Sequence, residues 1–232
     1  MIPAATKIEF GDGPSHLARY AARLPAVEIN SSFYRPHRPA TYARWAESTP
    51  PDFRFAVKVP RRITHELRLR EADDELRSFL AGPHALGPKL AVLLVQLPPS
   101  LQLERESADH FFTMLRNLTT TRIACEPRHR SWFEPQANEI LRGNRIGRVA
   151  ADPALVPAAG MPGGDDSFVY FRLHGSPTMY YSEYSESYLE HLSVALRSHA
   201  AVGRTCWCIF ENTAAGAAAT NALRLSELTA VR

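Results

Sequence analysis

The chain has 232 residues, a length that suits one α/β domain with a sizeable core and leaves little room for a second. Its formal charge of +3 and pI near 8.9 come from scattered basic residues, so nucleic-acid binding is not expected; Arg61-Arg62 and Arg68 with Arg70 form the one local concentration, which reads as a solvated loop. No apolar run of about 18 residues and no basic-then-apolar leader is visible, which argues against membrane insertion and export and for a cytoplasmic protein.

In chain order, Ser15 is placed to cap a helix carrying Leu17, Tyr20, Ala21 and Leu24, and Pro25 stops it. The run AVEIN ends at Asn30, and Pro39 opens a second helix with Tyr42 and Trp45. FRFAVK ends at Lys58 and LAVLLVQ at Gln96, followed by a stripe of Phe111, Phe112, Leu115 and Leu118 at helical spacing. RIACEPR ends at Arg128, a short helix spans about Pro135 to Arg142, and RVAAD ends at Asp152. The Pro/Gly-rich segment from Pro153 to Ser167 shows no stripe and predicts an irregular loop. FVYFRLH ends at His174, Leu189, Leu192 and Leu196 mark a helix, CWCIFEN ends at Asn212, and an Ala-rich helix runs from Thr213 through Leu228.

Strands alternating with helices imply parallel pairing by right-handed crossovers. A polar residue closes each apolar run, which favours a TIM-type (β/α) barrel over an open doubly wound sheet, since the C-terminal strand ends of a barrel form one rim. Only seven strands are convincing, so the first strand is missing or irregular. Cys125, Cys206 and Cys208 lie inside apolar runs and read as buried free thiols of a reducing compartment.

Several blocks carry a resemblance: VEINSSFY (Val27 to Tyr34), FRFAVKVP with ITHE (Phe53 to Glu66), LLVQLPPSL (Leu93 to Leu101), CEPRHRSWF (Cys125 to Phe133), YFRLHGS with YYSEYS (Tyr170 to Ser185) and IFENTAAGAAATNAL (Ile209 to Leu223). In this order they resemble the DUF72, or YecE-like, family from about Pro14 to Leu228. The resemblance implies one TIM-type domain over 1–232 and a loose kinship with sugar isomerases. Family members usually begin with a strand ending in a Gly-Thr-x-Gly-Trp type motif, which Met1 to Gly13 lacks. The strands on either side of that position should therefore flank an imperfect gap, and an unpaired edge there would invite association.

Alternation along a strand puts Glu28 with Asn30, Glu126 with Arg128, and Arg172 with His174 on shared faces. Glu28, Lys58, Gln96, Glu126, Arg128, Asp152, Arg172, His174 and Asn212 are accordingly expected to line one cavity. Glu126 and His174 form an acid/base pair in this reading. Lys58 serves as a base, a Schiff-base former or an anion contact, or forms a salt bridge to Glu28 or Glu126. Glu28, Asn30, Gln96, Arg128, Asp152, Arg172, Tyr180 and Asn212 bind substrate. His65 is placed to reach across the mouth or to stay at the surface, while Trp132 and Tyr180-Tyr181 form walls, a lid or plain packing. An oxyanion is expected near Arg172, Gly175 and the Asn212–Gly216 turn, with Asn212 or Thr213 capping the last helix. Glu28, Glu126, Asp152 and His174 would suit a divalent ion, but the crowding cations disfavour one, and no metal site is assigned. A buried ion network that merely closes the barrel top uses the same residues.

The residues point to an enzyme of the isomerase or hydrolase type acting on a small anionic or polyhydroxylated, sugar-phosphate-like molecule. The competing reading is a non-catalytic module that binds an anionic metabolite, a nucleic acid or a partner protein. The partner expected is a small anionic molecule rather than a membrane or nucleic acid; neither a cofactor nor an oligomeric state follows from these residues.

Overall fold

The protein is represented by a computed structural model that describes residues 8–230. Its helices are α1 (His16–Ala21), α2 (Pro39–Glu47), α3 (Asp73–Leu80), α4 (Arg105–Leu118), α5 (Pro135–Gly143), α6 (Glu186–Ala201) and α7 (Ala217–Thr229). Its strands are β1 (Ala26–Ile29), β2 (Arg54–Lys58), β3 (Leu90–Gln96), β4 (Arg122–Glu126), β5 (Ile146–Arg148), β6 (Ala150–Asp152), β7 (Gly163–Gly164), β8 (Phe168–Leu173) and β9 (Thr205–Phe210).

Local chemistry sets most helix starts. Ser15 Oγ accepts from the Ala18 amide at 3.1 Å, and Ser185 Oγ accepts from Tyr188 at 3.3 Å, each satisfying an N–H that the first turn leaves open. Pro39 and Pro135 open α2 and α5, where a missing N–H costs nothing. Helix α3 was not expected from the sequence; three acidic residues, Asp73, Asp74 and Glu75, complement its N-terminal dipole, and Leu76, Phe79 and Leu80 bury its inner stripe. The last helix begins later than expected. Its N-cap is Gly216 at φ +85, so neither Asn212 nor Thr213 caps it.

Six strands form one sheet in the order β1-β2-β3-β4-β5-β7, parallel except for the short antiparallel β7, and three form a parallel sheet in the order β6-β8-β9. The closed barrel expected from the sequence is not found. One separation is small: β5 and β6 are divided by Val149 alone, so a single stretch of chain pairs first with β4 and then with β8. The other lies between β1 and β9. No backbone pairing joins β1 to β9 among the described residues, where residues 8–10 form a turn and residues 11–13 no regular structure. Phe10 of that turn stacks on Tyr20 at 5.8 Å and packs with Leu24 and Leu223. Residues 1–7, on which part of the missing-strand expectation falls, lie outside the described residues.

The segment between β6 and β8 is irregular, as expected, with a 3-10 turn at Pro157–Gly160 and the two-residue β7. Helices cover the outer faces of both sheets. Between the inner faces lies a separate core of Ala56, Val92, Leu94, Ala124, Val149, Phe168, Tyr170 and Trp207, drawn from both sheets. Gly147 fits this junction because a Cβ there would stand 2.7 Å from the Phe168 ring. This inner core is the floor on which the polar strand ends rest.

Candidate functional site

Side-chain alternation carries the inner core into a polar layer two residues further along each strand. Ala26 leads to Glu28 and Asn30, Ala56 to Lys58, Leu94 to Gln96, Ala124 to Glu126, Tyr170 to Arg172 and His174, and Ile209 to Glu211. Glu126, Arg172 and His174 are each at most 2% exposed. Charges buried this deeply must be paired, and here they are.

Arg172 is the hub. It donates to Glu28 through two parallel bonds, Nε to Oε2 at 3.1 Å and Nη2 to Oε1 at 2.6 Å, while Nη1 donates to Glu126 Oε2. Its Nη2 also lies 3.1 Å from Glu211 Oε1. The second Glu28 oxygen accepts from the Tyr170 hydroxyl at 2.7 Å. Arg128 Nε donates to Glu126 Oε1 at 2.7 Å.

These contacts set the protonation states. Burial opposes charge on Glu126 and Glu28, but the Arg172 guanidinium outweighs it, and both carboxyls are held below the usual range. Glu211 moves the other way. Burial and then the Glu28 charge push it up to about 7, although Arg172 and Asn30 favour its ionised form. Lys58 is lowered by burial and next by Arg172, and His65 by burial and next by Lys58.

His174 has an unusual surrounding. Its Nε2 lies 3.1 Å from Arg128 Nη2, which only donates, and 3.2 Å from Glu126 Oε1, which only accepts when ionised. One ring nitrogen thus faces both a donor and an acceptor, and the tautomer decides which is served. The buried Nδ1 has no hydrogen-bond partner among the described residues. Burial lowers the imidazole pKa, against the pull of Glu126, so the ring is neutral at pH 7. The edge of Tyr180, which is 44% exposed at φ +70, meets the His174 ring at 5.9 Å.

Of the residues expected together, Glu28, Asn30, Lys58, Gln96, Glu126, Arg128, Arg172 and His174 share the inner face, with the Tyr180 ring against His174. Two do not. Asp152 shares the outer parity of Ala150, and its Oδ2 accepts from Tyr184 at 2.7 Å under α6. Asn212 is fully buried, and its Nδ2 donates to the Ser182 carbonyl and to Asn221 Oδ1, both at 2.9 Å. The Gly175 amide donates to the Tyr184 hydroxyl, Ala214 to the Tyr180 carbonyl and Gly216 to the Thr213 carbonyl, so these three amides already have acceptors. Trp132 belongs to the outer core, with its Nε1 on the Leu101 carbonyl at 2.9 Å. His65 packs T-shaped on Phe33 at 5.0 Å, the ring that Lys58 Nζ also meets. Among the described residues no group of three or more His, Cys, Asp or Glu side chains is arranged around a cation position, and the acidic groups of the cavity converge on Arg172 instead.

The residue missed is Glu211. The run CWCIFEN was read to its last polar residue, yet Trp207 and Ile209 face the inner core, and their parity selects Glu211 rather than Asn212.

Fold and cavity together define an α/β protein whose mostly parallel strands present an acidic and basic cluster at their C-terminal ends. The chain belongs to the DUF72 family: the model described as "Protein of unknown function DUF72" matches residues 11–232. It is similar to the UPF0759 protein YecE of Escherichia coli (strain K12), 32% identical over 153 residues, which are 63% of this chain and 56% of that protein, so the match spans little more than half of YecE. It is also similar to the UPF0759 protein YunF of Bacillus subtilis (strain 168), 24% identical over 91% of this chain and 86% of that one. Among solved structures, a DUF72 family protein from Enterococcus faecalis V583 matches with a TM-score of 0.81 at 25% identity, covering 96% of this chain and 91% of that one. A DUF72 family protein from Thermotoga maritima MSB8 matches with a TM-score of 0.75 at 27% identity, over 88% and 84%.

Proposed function

We propose that this protein is an acid–base enzyme of the isomerase or hydrolase type, acting on a small anionic or polyhydroxylated, sugar-phosphate-like molecule at the C-terminal ends of its strands. The observation that carries this reading is His174, a buried imidazole poised between Arg128 and Glu126 with its Nδ1 unpartnered among the described residues. The large majority of buried side-chain polar atoms have a hydrogen-bond partner, so an open one at a titratable ring marks this histidine out. Here a proton can sit on either nitrogen, and Glu126 stabilises the form that carries it on Nε2. Arg128, about a fifth exposed, supplies positive charge, Gln96 supplies an amide for hydroxyl groups, and Glu211 offers a carboxyl that still holds its proton near neutrality.

We infer further that the two sheets act as the arcs of one TIM-type barrel. The shared inner core and the unbroken passage from β5 through Val149 into β6 support this. No helix among the described residues is long and apolar enough to cross a membrane, and the free thiols of Cys125, Cys206 and Cys208 suit a reducing compartment such as the cytoplasm.

The test is proton exchange. Sugar phosphates incubated with the protein in D2O should take up deuterium beside the carbonyl or turn over, and Glu126→Gln and His174→Gln should slow this by about 10²-fold or more. Binding that is equal in wild type and both variants, with neither exchange nor turnover, would establish a binding module instead.

A further inference from the structure

Of the 27 Lys and Arg residues only three are lysines, at positions 7, 58 and 89. Lys89 is fully accounted for: its Nζ donates to the Ala46 carbonyl at 2.6 Å, the Thr49 carbonyl at 2.7 Å and Thr49 Oγ1 at 3.1 Å, tying down the end of α2. Lys58 is the opposite case. It is 9% exposed, yet its ammonium has no hydrogen bond and no carboxylate within ion-pair distance among the described residues. What it touches is a ring face, with Nζ 4.2 Å from the Phe33 centroid.

The reason lies in Arg172, which binds all three nearby carboxylates, Glu28, Glu126 and Glu211, and leaves Lys58 without a counter-ion. An ammonium that is both desolvated and set near another cation loses its proton more readily. Burial first and Arg172 second lower its pKa, against the pull of Glu28, Glu126 and Glu211, which lie beyond ion-pair distance. Arginine, which this chain uses nearly everywhere else, cannot give up its proton, whereas a buried lysine can.

We propose that Lys58 is the nucleophile of this cavity and captures the carbonyl of an open-chain hydroxy-aldehyde or hydroxy-ketone as a protonated Schiff base. The inference rests on the acid–base reading of the same cavity and names its substrate class. The neutral amine bonds to the carbonyl carbon as the C=O π bond breaks onto oxygen. That oxygen takes one proton from the amine and one from a neighbouring acid, Glu211 being the carboxyl that still carries one, and leaves as water. A protonated imine remains, which draws electrons from the adjacent carbon, so a base such as His174 can remove a proton there.

Dihydroxyacetone phosphate and sodium cyanoborohydride are the probe, because hydride delivered to the imine carbon leaves a permanent secondary amine on the lysine that formed it. Peptide mapping at pH 7 should find Lys58 modified at least tenfold faster than Lys89, Lys7 or the α-amino group. Glycerol 3-phosphate, which lacks only the carbonyl, should slow the labelling, and Lys58→Arg should fold and bind glycerol 3-phosphate without gaining an adduct at that position. If glycerol 3-phosphate binds but Lys58 is labelled no faster than the other amines, the Schiff base is overturned while the acid–base reading stands. Selective labelling of Lys58 without exchange or turnover of any sugar phosphate would uphold carbonyl capture and overturn that reading. Neither binding nor selective labelling would overturn both.

Discussion

Asn30 and Glu211 join the two open sheet edges: Asn30 Nδ2 donates to Glu211 Oε1 at 2.8 Å, between residues 181 positions apart in the chain. Asn30 follows β1 and Glu211 follows β9, the two strands at the seam. The same Glu211 oxygen lies 3.1 Å from Arg172 Nη2, so the bridge is anchored to the hub of the cavity. Side chains here perform the joining that backbone pairing performs elsewhere.

Glu211 makes the stability of the fold depend on pH, because burial and the Glu28 charge oppose its ionisation. Its folded value of about 7 exceeds the ordinary carboxyl value of about 4.3, so its contribution is fully present below pH about 4 and is lost as pH rises through 7. Between pH 5 and 8 the wild type should lose on the order of 2–3 kcal/mol relative to Glu211→Gln. Urea midpoints for both proteins across that range check this, and parallel curves would show that Glu211 titrates normally.

Replacing Arg172 with Met strands three carboxylates. At neutral pH this should cost about 3–5 kcal/mol, the penalty of breaking a buried pair from one side. Glu28 and Glu126 are held below the usual carboxyl range, so the stability they contribute is present above pH about 4.3 and lost as pH falls. The gap between Arg172→Met and wild type should therefore narrow in acid. Thermal denaturation at pH 7 and pH 3.5 measures it, and a constant gap would mean that the carboxylates are not the cause.

Asn212→Ala separates architecture from chemistry. Loss of its bonds to Ser182 and Asn221 leaves buried partners unmet and should cost about 1–3 kcal/mol. Because its side chain faces away from the cavity, labelling of Lys58 should proceed at the wild-type rate. A large fall in labelling with little loss of stability would return Asn212 to the site.

The comparison of sequence with structure turns on parity. Lys58, Gln96 and Glu126 were legible because each ends a run whose inward residues, Ala56, Leu94 and Ala124, share its face. Asp152 was not, because RVAAD can be read with either parity, and the inner core selects Val149 over Ala150. Glu211 was hidden by the more conspicuous Asn212 one step later. Helices with a Ser or Pro start were readable from the cap, whereas α3 carries its signal in clustered acids and a short Leu76, Phe79, Leu80 stripe. Barrel closure was out of reach because it depends on long-range backbone pairing, about which a run of residues 8–13 says nothing.

A seam held by side chains also gives the molecule an uneven resistance to local opening. Amides of β3, paired on both sides, exchange with solvent only when much of the first sheet opens. Those at the facing edges of β1 and β9 have no mutual backbone pairing among the described residues, and the bonds from Asn30 to Glu211 and from Arg172 and Tyr170 to Glu28 are what must be released there. Hydrogen exchange should then reveal two tiers of protection within one domain, with the weaker tier at the facing edges of β1 and β9.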